Sequence, residues 1–334
     1  MKALVTGGGG FLGSAIVRLL RARGDDVTVI ARGDHPGLLS LGVTLVRADI
    51  TDLPALTEAA AGTDVVFHTA AKAGVWGRYE SYYRPNVVGT EMLIAACLAT
   101  RVPKLVFTGS PSVVFDGRDQ ANGTSALPYA TPPSSHYSAT KANSERLVLK
   151  ANSKPLATVS LRPHLIYGPA DPHLVPRVID RARKGRLALV GDGSNRVSLT
   201  YIDNAAAAHV QAADRLSFNA TCAGRAYFIN DPEPVIFGEW LTALVSRLGL
   251  PPIKRRLSIP AAVAIGGALE FVWSTFRLGG EPPLTRSVAK NLGISHWYSI
   301  DEAVRDFGYA PPTTAADGFE RTVEWFKARV PRAA

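Results

Sequence analysis

Residues 1–20 read Met1-Lys-Ala-Leu-Val-Thr-Gly7-Gly-Gly-Gly10-Phe-Leu-Gly13-Ser-Ala-Ile-Val-Arg-Leu-Leu20, and this stretch predicts the fold. A short apolar strand runs directly into a glycine-rich turn and then into an amphipathic helix. The glycines allow a tight turn, close approach of the backbone to a pyrophosphate, and close packing of helix on strand. The amino terminus of the helix then faces the phosphates. The stretch predicts a dinucleotide site formed by Gly7, Gly10, Phe11, Leu12 and Gly13.

Apolar runs alternate with helical patterns through the first half of the chain. Strands are predicted near 2–6, 26–31, 43–48, 64–70, 104–109 and 156–162, and helices near 11–23, 86–100 and 136–151. Such alternation predicts an α/β fold with a doubly wound parallel sheet, covered by helices on both faces. Beyond Tyr167 the rhythm breaks into shorter elements with proline-rich joints.

A second motif, Tyr137-Ser-Ala-Thr-Lys141, lies on the last of these helices. Residues four apart share a helix face, so the phenol and the ammonium come together. A nearby ammonium favours the phenolate and is expected to lower the tyrosine pKa, so that the side chain can exchange a proton with a substrate oxygen. Ser110, at the end of the preceding strand, can hydrogen-bond the same oxygen. A surface helix with a packed tyrosine is the alternative.

The two motifs together resemble the extended short-chain dehydrogenase/reductase superfamily, and the resemblance covers nearly the whole chain. Further matching segments follow in order: Asp49-Ile-Thr-Asp52, His68-Thr-Ala-Ala71, Asn86-Val-Val-Gly-Thr90 and Leu161-Arg-Pro-His-Leu-Ile-Tyr-Gly-Pro169. The resemblance implies that Ser110, Tyr137 and Lys141 are catalytic, with Ser112 as the alternative serine. Lys141 is also expected to bind the nicotinamide ribose. Further expected cofactor contacts are Asp49, Ile50, Ala70, Ala71 and Pro163.

The resemblance also implies a domain organisation. Residues 1–165 are expected to form the dinucleotide-binding (Rossmann) domain, to which residues 201–230 return. Residues 166–200 and 231–334 are expected to form mainly a smaller, interleaved substrate domain and the C-terminal helices. A homodimer is expected on the same basis, through the helices near 86–100 and 136–151.

The end of the second predicted strand bears on the choice of cofactor. NAD enzymes usually place an acid there for the ribose hydroxyls, whereas NADP enzymes need room and a cation for the 2′-phosphate. In this chain Ala31 stands in place of the acid, and Arg32 can stack on adenine and pair with the phosphate. We therefore predict NADP(H) as the cofactor, with a solvated surface arginine as the alternative.

Segments of the second half resemble the 3β-hydroxysteroid dehydrogenase branch of the superfamily, notably residues 171–176, 191–209 and 226–231. Sugar-nucleotide epimerases and dehydratases commonly place an arginine four residues before an aromatic-hydrophobic-Asp run. Here Val197 holds that position and Arg196 lies one step away. An apolar substrate is favoured, and epimerase or dehydratase chemistry stays as an alternative.

Within that branch, residues 70–79 and 82–86 resemble the bacterial 2-alkyl-3-oxoalkanoate reductases of long-chain olefin biosynthesis. That resemblance implies NADPH-dependent reduction of a long-chain 2-alkyl-3-oxo acid. Oxidation of a 4-carboxysterol is the main alternative, and a non-catalytic NADP-binding sensor is another. Lys72 and Arg78 are candidate cations for the substrate carboxylate. Other candidate substrate contacts are Trp76, Tyr79, Tyr82, Asn86, Ser112 and His164.

The composition of the chain excludes several other classes of protein. The 334 residues contain only two cysteines, and the seven histidines lack metal-ligand spacing, so we expect neither a disulfide framework nor a metal. The first strand leaves no room for a signal peptide, and we expect a cytoplasmic protein. The net charge of +9 comes from scattered clusters without a nucleic-acid motif, so no nucleic-acid partner is expected.

An apolar run at residues 257–276 follows the basic segment Lys254-Arg-Arg256. Its uncharged part is too short to span a bilayer comfortably. A buried helix, a lid over a lipid-like pocket and an interfacial helix are the three interpretations of this run. Peripheral membrane contact and association with pathway enzymes therefore stay open.

Overall fold

The computed structural model describes residues 1–329. Its strands and helices in chain order are β1 (Lys2–Thr6), α1 (Phe11–Ala22), β2 (Asp26–Ala31), α2 (Pro36–Leu39), β3 (Thr44–Arg47), α3 (Leu53–Ala60), β4 (Val65–His68), α4 (Tyr79–Tyr83), α5 (Gly89–Thr100), β5 (Lys104–Thr108), β6 (Gln120–Gly123), α6 (His136–Lys150), β7 (Ala157–Pro163), β8 (Ile166–Tyr167), α7 (Leu174–Arg183), β9 (Ala188–Val190), β10 (Arg196–Val197), β11 (Thr200–Tyr201), α8 (Ile202–Arg215), β12 (Arg225–Ile229), β13 (Val235–Ile236), α9 (Phe237–Arg247), β14 (Arg255–Leu257), α10 (Ile259–Thr275), α11 (Arg286–Gly293), β15 (His296–Tyr298), α12 (Asp301–Phe307) and α13 (Ala315–Lys327). A π-helical turn at Arg84–Val88 leads into α5, and a 3₁₀ turn at Pro111–Val113 follows β5.

Seven parallel strands form the central sheet in the order β12-β7-β5-β4-β1-β2-β3. Val5 and Phe67 face a core formed with α1 and α8, whereas the alternate residues Leu4 and Val66 face a core formed with α3, α5 and α6. Because side chains alternate across a strand, both faces of the sheet are buried under helices. The prediction of a doubly wound sheet is confirmed.

The strand order changes direction between β1 and β4. β2 and β3 lie on one side of this point, and β4, β5 and β7 lie on the other. Open α/β sheets bind ligands in the crevice at the carboxyl ends of the strands where the order reverses. The topology therefore places a binding site beyond Thr6 and His68, the last residues of β1 and β4.

The second half of the chain contributes to the same sheet. β12 pairs with β7 in parallel, with Tyr227 opposite Leu161, and α8 packs against α1. The remaining strands form small sheets with the orders β13-β10-β15-β6, β11-β8 and β14-β9. The chain thus leaves the large sheet after β7 and returns to it at β12.

The apolar run 257–276 forms α10, and the buried-helix interpretation of it is wrong. Only Ala262 and Gly266 of this helix are buried. Gly266 lies against α11, where a Cβ would come within 2.7 Å of the Arg286 backbone, so contact with α11 takes up one narrow face. Phe271 and Phe276 are each 69% exposed. Hydrophobic composition alone did not reveal that the helix packs on one side only. Within residues 1–329, no helix combines the length and apolar character needed to cross a membrane.

Candidate active site

The glycine-rich turn forms a cradle at the amino terminus of α1. Gly7 has a left-handed φ of +71°, and its carbonyl oxygen accepts a hydrogen bond from Gly10 N at 2.9 Å. A Cβ at Gly13 would lie only 2.3 Å from that oxygen, so the approach of helix to turn requires glycine. Gly10 caps α1 without a side-chain hydrogen bond, which leaves the first N–H groups available to a phosphate. These features fit a bound dinucleotide.

The predicted adenine end lies beyond β2 and β3. Arg32 and Asp49 are both exposed. Hydrogen bonds from Thr51, aided by the charge of Arg32, lower the pKa of Asp49. The side chains of Ile50 and Leu12 are buried in the core, so these two predicted residues offer a cofactor chiefly their main-chain groups.

The ends of β1 and β4 lie directly against each other. A Cβ on Gly7 would come within 2.8 Å of Ala70, and Ala71 beyond it is exposed. His68 links Thr6 and Thr90, with ring nitrogens 2.7 and 2.9 Å from their hydroxyl oxygens. Burial, aided by the charge of Lys141, lowers the pKa of His68 to about 3, so its ring is neutral. This neutral link holds β4 and α5 in place beneath the site.

Helix α6 carries the tyrosine and the lysine. Its amino terminus is fixed by Ser135, whose hydroxyl accepts from Ser138 N, while the Ser138 hydroxyl accepts from Ser135 N. Lys141 is 3% exposed, and its Nζ donates to the carbonyl oxygen of Thr108 at 2.6 Å. Burial lowers the pKa of Lys141 to about 7, although the charge of Glu145 opposes the shift.

Tyr137 lies beside Ser110, as the motif predicts. Burial raises the pKa of Tyr137, and the nearby Ser110 hydroxyl opposes this shift. The expected lowering of the tyrosine pKa by Lys141 is therefore not seen, because the lysine ammonium is itself disfavoured by burial and is hydrogen-bonded to Thr108. Ser112 Oγ lies 2.9 Å from Ser110 Oγ, so the alternative serine is a hydrogen-bond partner of the first.

Sequence reasoning missed a buried ion pair one turn beyond Lys141. Glu145 and Arg162 are 0% and 3% exposed, and Arg162 Nη2 donates to Glu145 Oε1 at 2.6 Å. The same carboxylate accepts hydrogen bonds from Tyr129 and Ser160 at 2.8 and 2.7 Å. Burial opposes ionisation of Glu145, but the charge of Arg162 keeps its pKa below the usual value. The sequence signal for this pair is the position of Glu145, which follows Lys141 by four residues and therefore lies on the same face of α6.

Two cavities meet at Tyr137 and Val75, which line both. The smaller cavity, about 380 Å³, contains Ser110 and Pro163, and its walls are mainly apolar. Its apolar lining includes Phe115, Leu174, Val178, Leu187, Leu241 and Leu292. The larger cavity, about 1030 Å³, opens between residues 75–78 and the end of α10.

The predicted substrate residues fall into two groups. Trp76, Arg78 and Tyr82 line the larger cavity, whereas Ser112 and His164 line the smaller one. His164 donates from Nδ1 to Ser198 O at 2.6 Å, and burial beside His296 holds its pKa well below the usual value. A neutral imidazole suits the apolar wall of the smaller cavity.

Lys72, Tyr79 and Asn86 line neither cavity, so the structure does not bring these three predicted substrate contacts together with the others. Lys72 is exposed, with Nζ 4.9 Å from the ring centroid of Tyr82. Tyr79 stacks edge-on against His136 at 5.6 Å. Asn86 is buried; its amide accepts from Lys72 N at 2.7 Å and donates to Lys72 O at 3.1 Å. Asn86 thus positions the loop that enters the site.

Arg177 and Arg181 of α7 also line the smaller cavity, although neither is among the substrate contacts predicted from the sequence. They recur with Leu174 and Val178 at helical spacing, so the four residues share one face of α7. Within the described residues, no group of three or more His, Cys, Asp or Glu side chains is arranged to hold a metal ion.

The fold, the glycine cradle and the Ser110–Tyr137–Lys141 cluster together describe a nicotinamide-dependent dehydrogenase or reductase. Comparison with known proteins then identifies the family. The chain belongs to the 3-beta hydroxysteroid dehydrogenase/isomerase family, whose model matches residues 4–260. The predictions of the family branch and of an oxidoreductase are confirmed, and the family is NAD(P)-dependent.

Similar proteins span the whole chain. A 2-alkyl-3-oxoalkanoate reductase of Stenotrophomonas maltophilia is 49% identical, covering 96% of this chain and 98% of its own length. A decarboxylating sterol-4-alpha-carboxylate 3-dehydrogenase of Mus musculus is 36% identical, covering 97% and 91%. The crystal structure of UDP-glucuronic acid 4-epimerase from Bacillus cereus in complex with NAD is 25% identical, covering 98% and 99%, with a TM-score of 0.74.

Proposed function

We propose that the protein is an NADP(H)-dependent reductase that converts a long-chain 2-alkyl-3-oxoalkanoate into the 2-alkyl-3-hydroxyalkanoate, reversibly. The observation that carries the proposal is the junction of two cavities at Tyr137. In such a substrate two chains diverge on either side of a ketone. A tyrosine at the meeting point of two channels can reach that ketone while each chain occupies its own channel.

The predicted catalytic residues have distinct roles in this proposal. Tyr137 donates its hydroxyl proton to the carbonyl oxygen, and its raised pKa keeps that proton in place at neutral pH. Ser110 hydrogen-bonds the same oxygen. Lys141 holds α6 to the end of β5 through Thr108, and in this proposal it also binds the nicotinamide ribose. NADPH bound in the glycine cradle supplies the hydride.

The preference for NADP(H) is supported by Arg32. The side chain is exposed at the end of β2, and Ala31 provides no carboxylate for a ribose hydroxyl. In the described part of the chain, Arg32 has no ion-pair partner within 4 Å, whereas the nearby Arg47 pairs with Asp34. A 2′-phosphate would supply the missing anion.

The smaller cavity argues against a nucleotide sugar. Val197 is buried and lines this cavity, whereas Arg196 is exposed and lies 5.0 Å from the ring centroid of Trp297. Because neighbouring strand residues point to opposite faces, Arg196 is directed away from the pocket. The cation that would bind a diphosphate is thus missing at this position.

The assay uses synthetic long-chain 2-alkyl-3-hydroxy acids with NADP⁺, which avoids the spontaneous decarboxylation of β-keto acids. A 4-carboxysterol and a UDP-sugar serve as competing substrates. We expect turnover of the hydroxy acid with the highest kcat/KM. No turnover of that acid, together with turnover of the sterol or the nucleotide sugar, contradicts the proposal.

We also propose that α10 rests on an anionic membrane surface. Its exposed stripe contains only apolar or small side chains, including Ile265, Phe271 and Val272. Cations lie at both ends of the helix: Lys254, Arg255 and Arg256 before it and Arg277 after it. If α10 paired with α10 of a second protein molecule, parallel or antiparallel, the cations at the helix ends would lie against each other. A lipid surface therefore suits this face better than a second copy of the protein.

The larger cavity opens beside this helix, since Trp273, Arg277 and Leu278 line it. A lipid-like substrate could then pass from the membrane surface into the site. We propose that residues 166–200 and 231–329 form mainly the substrate domain and the C-terminal helices; residues 330–334 of the predicted domain lie outside the described residues. A homodimer through α5 and α6 and a cytoplasmic location stay predictions, and light scattering of the purified protein tests the former.

A further inference from the structure

The face of α7 that lines the smaller cavity carries two arginines at an interval of one turn. Arg177 and Arg181 share this face with Leu174 and Val178. The same cavity contains Ser110 and Tyr137, the groups placed to bind a reacting oxygen. α7 thus brings positive charge into an otherwise mainly apolar space.

The two arginines differ in their partners. Arg177 Nη2 pairs with Glu281 Oε2 at 2.7 Å, and the other oxygen of Glu281 accepts from Val75 N at 3.0 Å. Each oxygen of Glu281 thus already accepts one hydrogen bond. Arg181 Nη2 donates to the carbonyl oxygen of Pro283, and in the part of the chain that the structure describes no carboxylate lies within ion-pair distance of Arg181. Burial, aided by the charge of Arg177, lowers the pKa of Arg181.

We propose that Arg181 binds the carboxylate of the substrate inside the smaller cavity; this rests on the function proposed above. A partly buried cation has lost hydration, and the single hydrogen bond from Arg181 to a neutral carbonyl replaces only part of it. A carboxylate restores that interaction, and a guanidinium can hold it through two parallel hydrogen bonds. The protein therefore leaves one charge uncompensated where an anionic ligand fits.

The chemistry of a 2-alkyl-3-oxo acid matches this placement. One carbon atom separates its ketone carbon from its carboxylate, so both groups must bind in the same small space. Tyr137 and Arg181 line one cavity of about 380 Å³. Arg78, the cation predicted from the sequence, is exposed and lines the larger, open cavity, where water weakens its attraction for an anion.

The test compares Arg181→Gln with two matched controls. Arg186→Gln removes an exposed arginine just beyond α7, and Arg78→Gln removes the competing cation. Each protein is assayed with NADP⁺ on a 2-alkyl-3-hydroxy acid and on the methyl ester of the same acid, and NADPH affinity is measured in parallel. The ratio of kcat/KM for acid to that for ester reports carboxylate recognition without depending on overall activity.

We expect Arg181→Gln to lower kcat/KM for the acid by about 10- to 100-fold, mainly through KM, with little change for the ester or for NADPH affinity. Arg181→Lys should retain part of the preference for the acid, and Arg186→Gln should behave as wild type. An equal loss on acid and ester, or a loss of preference confined to Arg78→Gln, overturns the assignment. Wild-type protein inactive on the acid overturns the proposed function and this inference together.

Discussion

Lys141 Nζ donates to the carbonyl oxygen of Thr108 at 2.6 Å, so a side chain of α6 is bonded to the last residue of β5. Ser110 follows Thr108 by two residues, and Tyr137 precedes Lys141 by one helical turn. This contact therefore helps to fix the separation of the serine from the tyrosine. The ring of Phe107 also packs against this lysine, with its centroid 4.1 Å from Nζ.

Replacing Tyr137 tests its proposed role as the proton donor. Tyr137→Phe removes the hydroxyl and keeps the ring, so we expect turnover to fall by about 100- to 10,000-fold. NADPH affinity, measured by fluorescence titration, should stay near the wild-type value. Tyr83→Phe is the matched control because that tyrosine lines neither cavity. Near-normal turnover of Tyr137→Phe would refute the role.

The pH dependence should differ between the two directions. Oxidation of the alcohol needs the Tyr137 phenolate, and burial raises the pKa of this group above its usual value near 10. The rate of oxidation should therefore climb about tenfold per pH unit between pH 7 and 10, whereas reduction, which needs the phenol, should not decline over that range. Initial rates in both directions measure this. An oxidation rate that levels off below pH 9 would instead support the lowered pKa expected from the motif alone.

The Glu145–Arg162 pair should matter for stability. Glu145→Gln leaves a buried guanidinium without its counter-charge, so we expect the free energy of unfolding to fall by about 3–5 kcal/mol. Urea denaturation followed by circular dichroism measures the loss. The double variant Glu145→Leu with Arg162→Met removes both charges and should be more stable than Glu145→Gln. If the double variant is the less stable protein, the uncompensated charge is not the cause.

Cofactor preference should depend on Arg32. Arg32→Ala should raise KM for NADPH by about tenfold or more and change KM for NADH little, because only NADPH carries the 2′-phosphate. Arg47→Ala is the control, since Arg47 is already paired with Asp34. Comparable kcat/KM for NADH and NADPH in the wild type, or unchanged NADPH affinity in Arg32→Ala, would argue against NADP(H).

Membrane contact should depend on the exposed phenylalanines of α10. We expect wild-type protein to sediment with vesicles that contain phosphatidylglycerol and much less with pure phosphatidylcholine vesicles. High salt should weaken this binding. Phe271→Ser with Phe276→Ser should release the protein from vesicles while preserving turnover of a short-chain substrate. Phe218→Ser, at another exposed phenylalanine, is the control. Equal sedimentation with both kinds of vesicle would contradict a preference for an anionic membrane surface.

Local patterns were sufficient to predict six of the seven strands of the large sheet and the shared helix face of Tyr137 and Lys141, because strand alternation and helical spacing are properties of neighbouring residues. β1 and β2 match their predicted bounds, Lys2–Thr6 and Asp26–Ala31. The cavity walls could not be predicted in the same way. Arg181 and Tyr137 are far apart in the chain, and only the packing of α7 brings them to one cavity.

Two further differences from expectation have physical causes. Lys72 is a predicted substrate contact because it follows β4 in sequence, but Asn86 bonds both main-chain groups of Lys72, and the lysine side chain lies over Tyr82 and lines neither cavity. The apolar composition of α10 suggested burial, yet composition reports only that a face avoids water, and it does not say what covers that face.

The late return of β12 to the sheet has a consequence for how the chain can be made. Every residue of β7 is buried, and β12 is its only neighbour on that side among the described strands. The ribosome must therefore synthesise the chain through residue 229 before β12 can pair with β7 and cover that edge of the sheet. A chain that stopped after residue 165 would present an open, apolar strand edge, which is a template for aggregation. The two halves of this protein therefore have to fold as one unit.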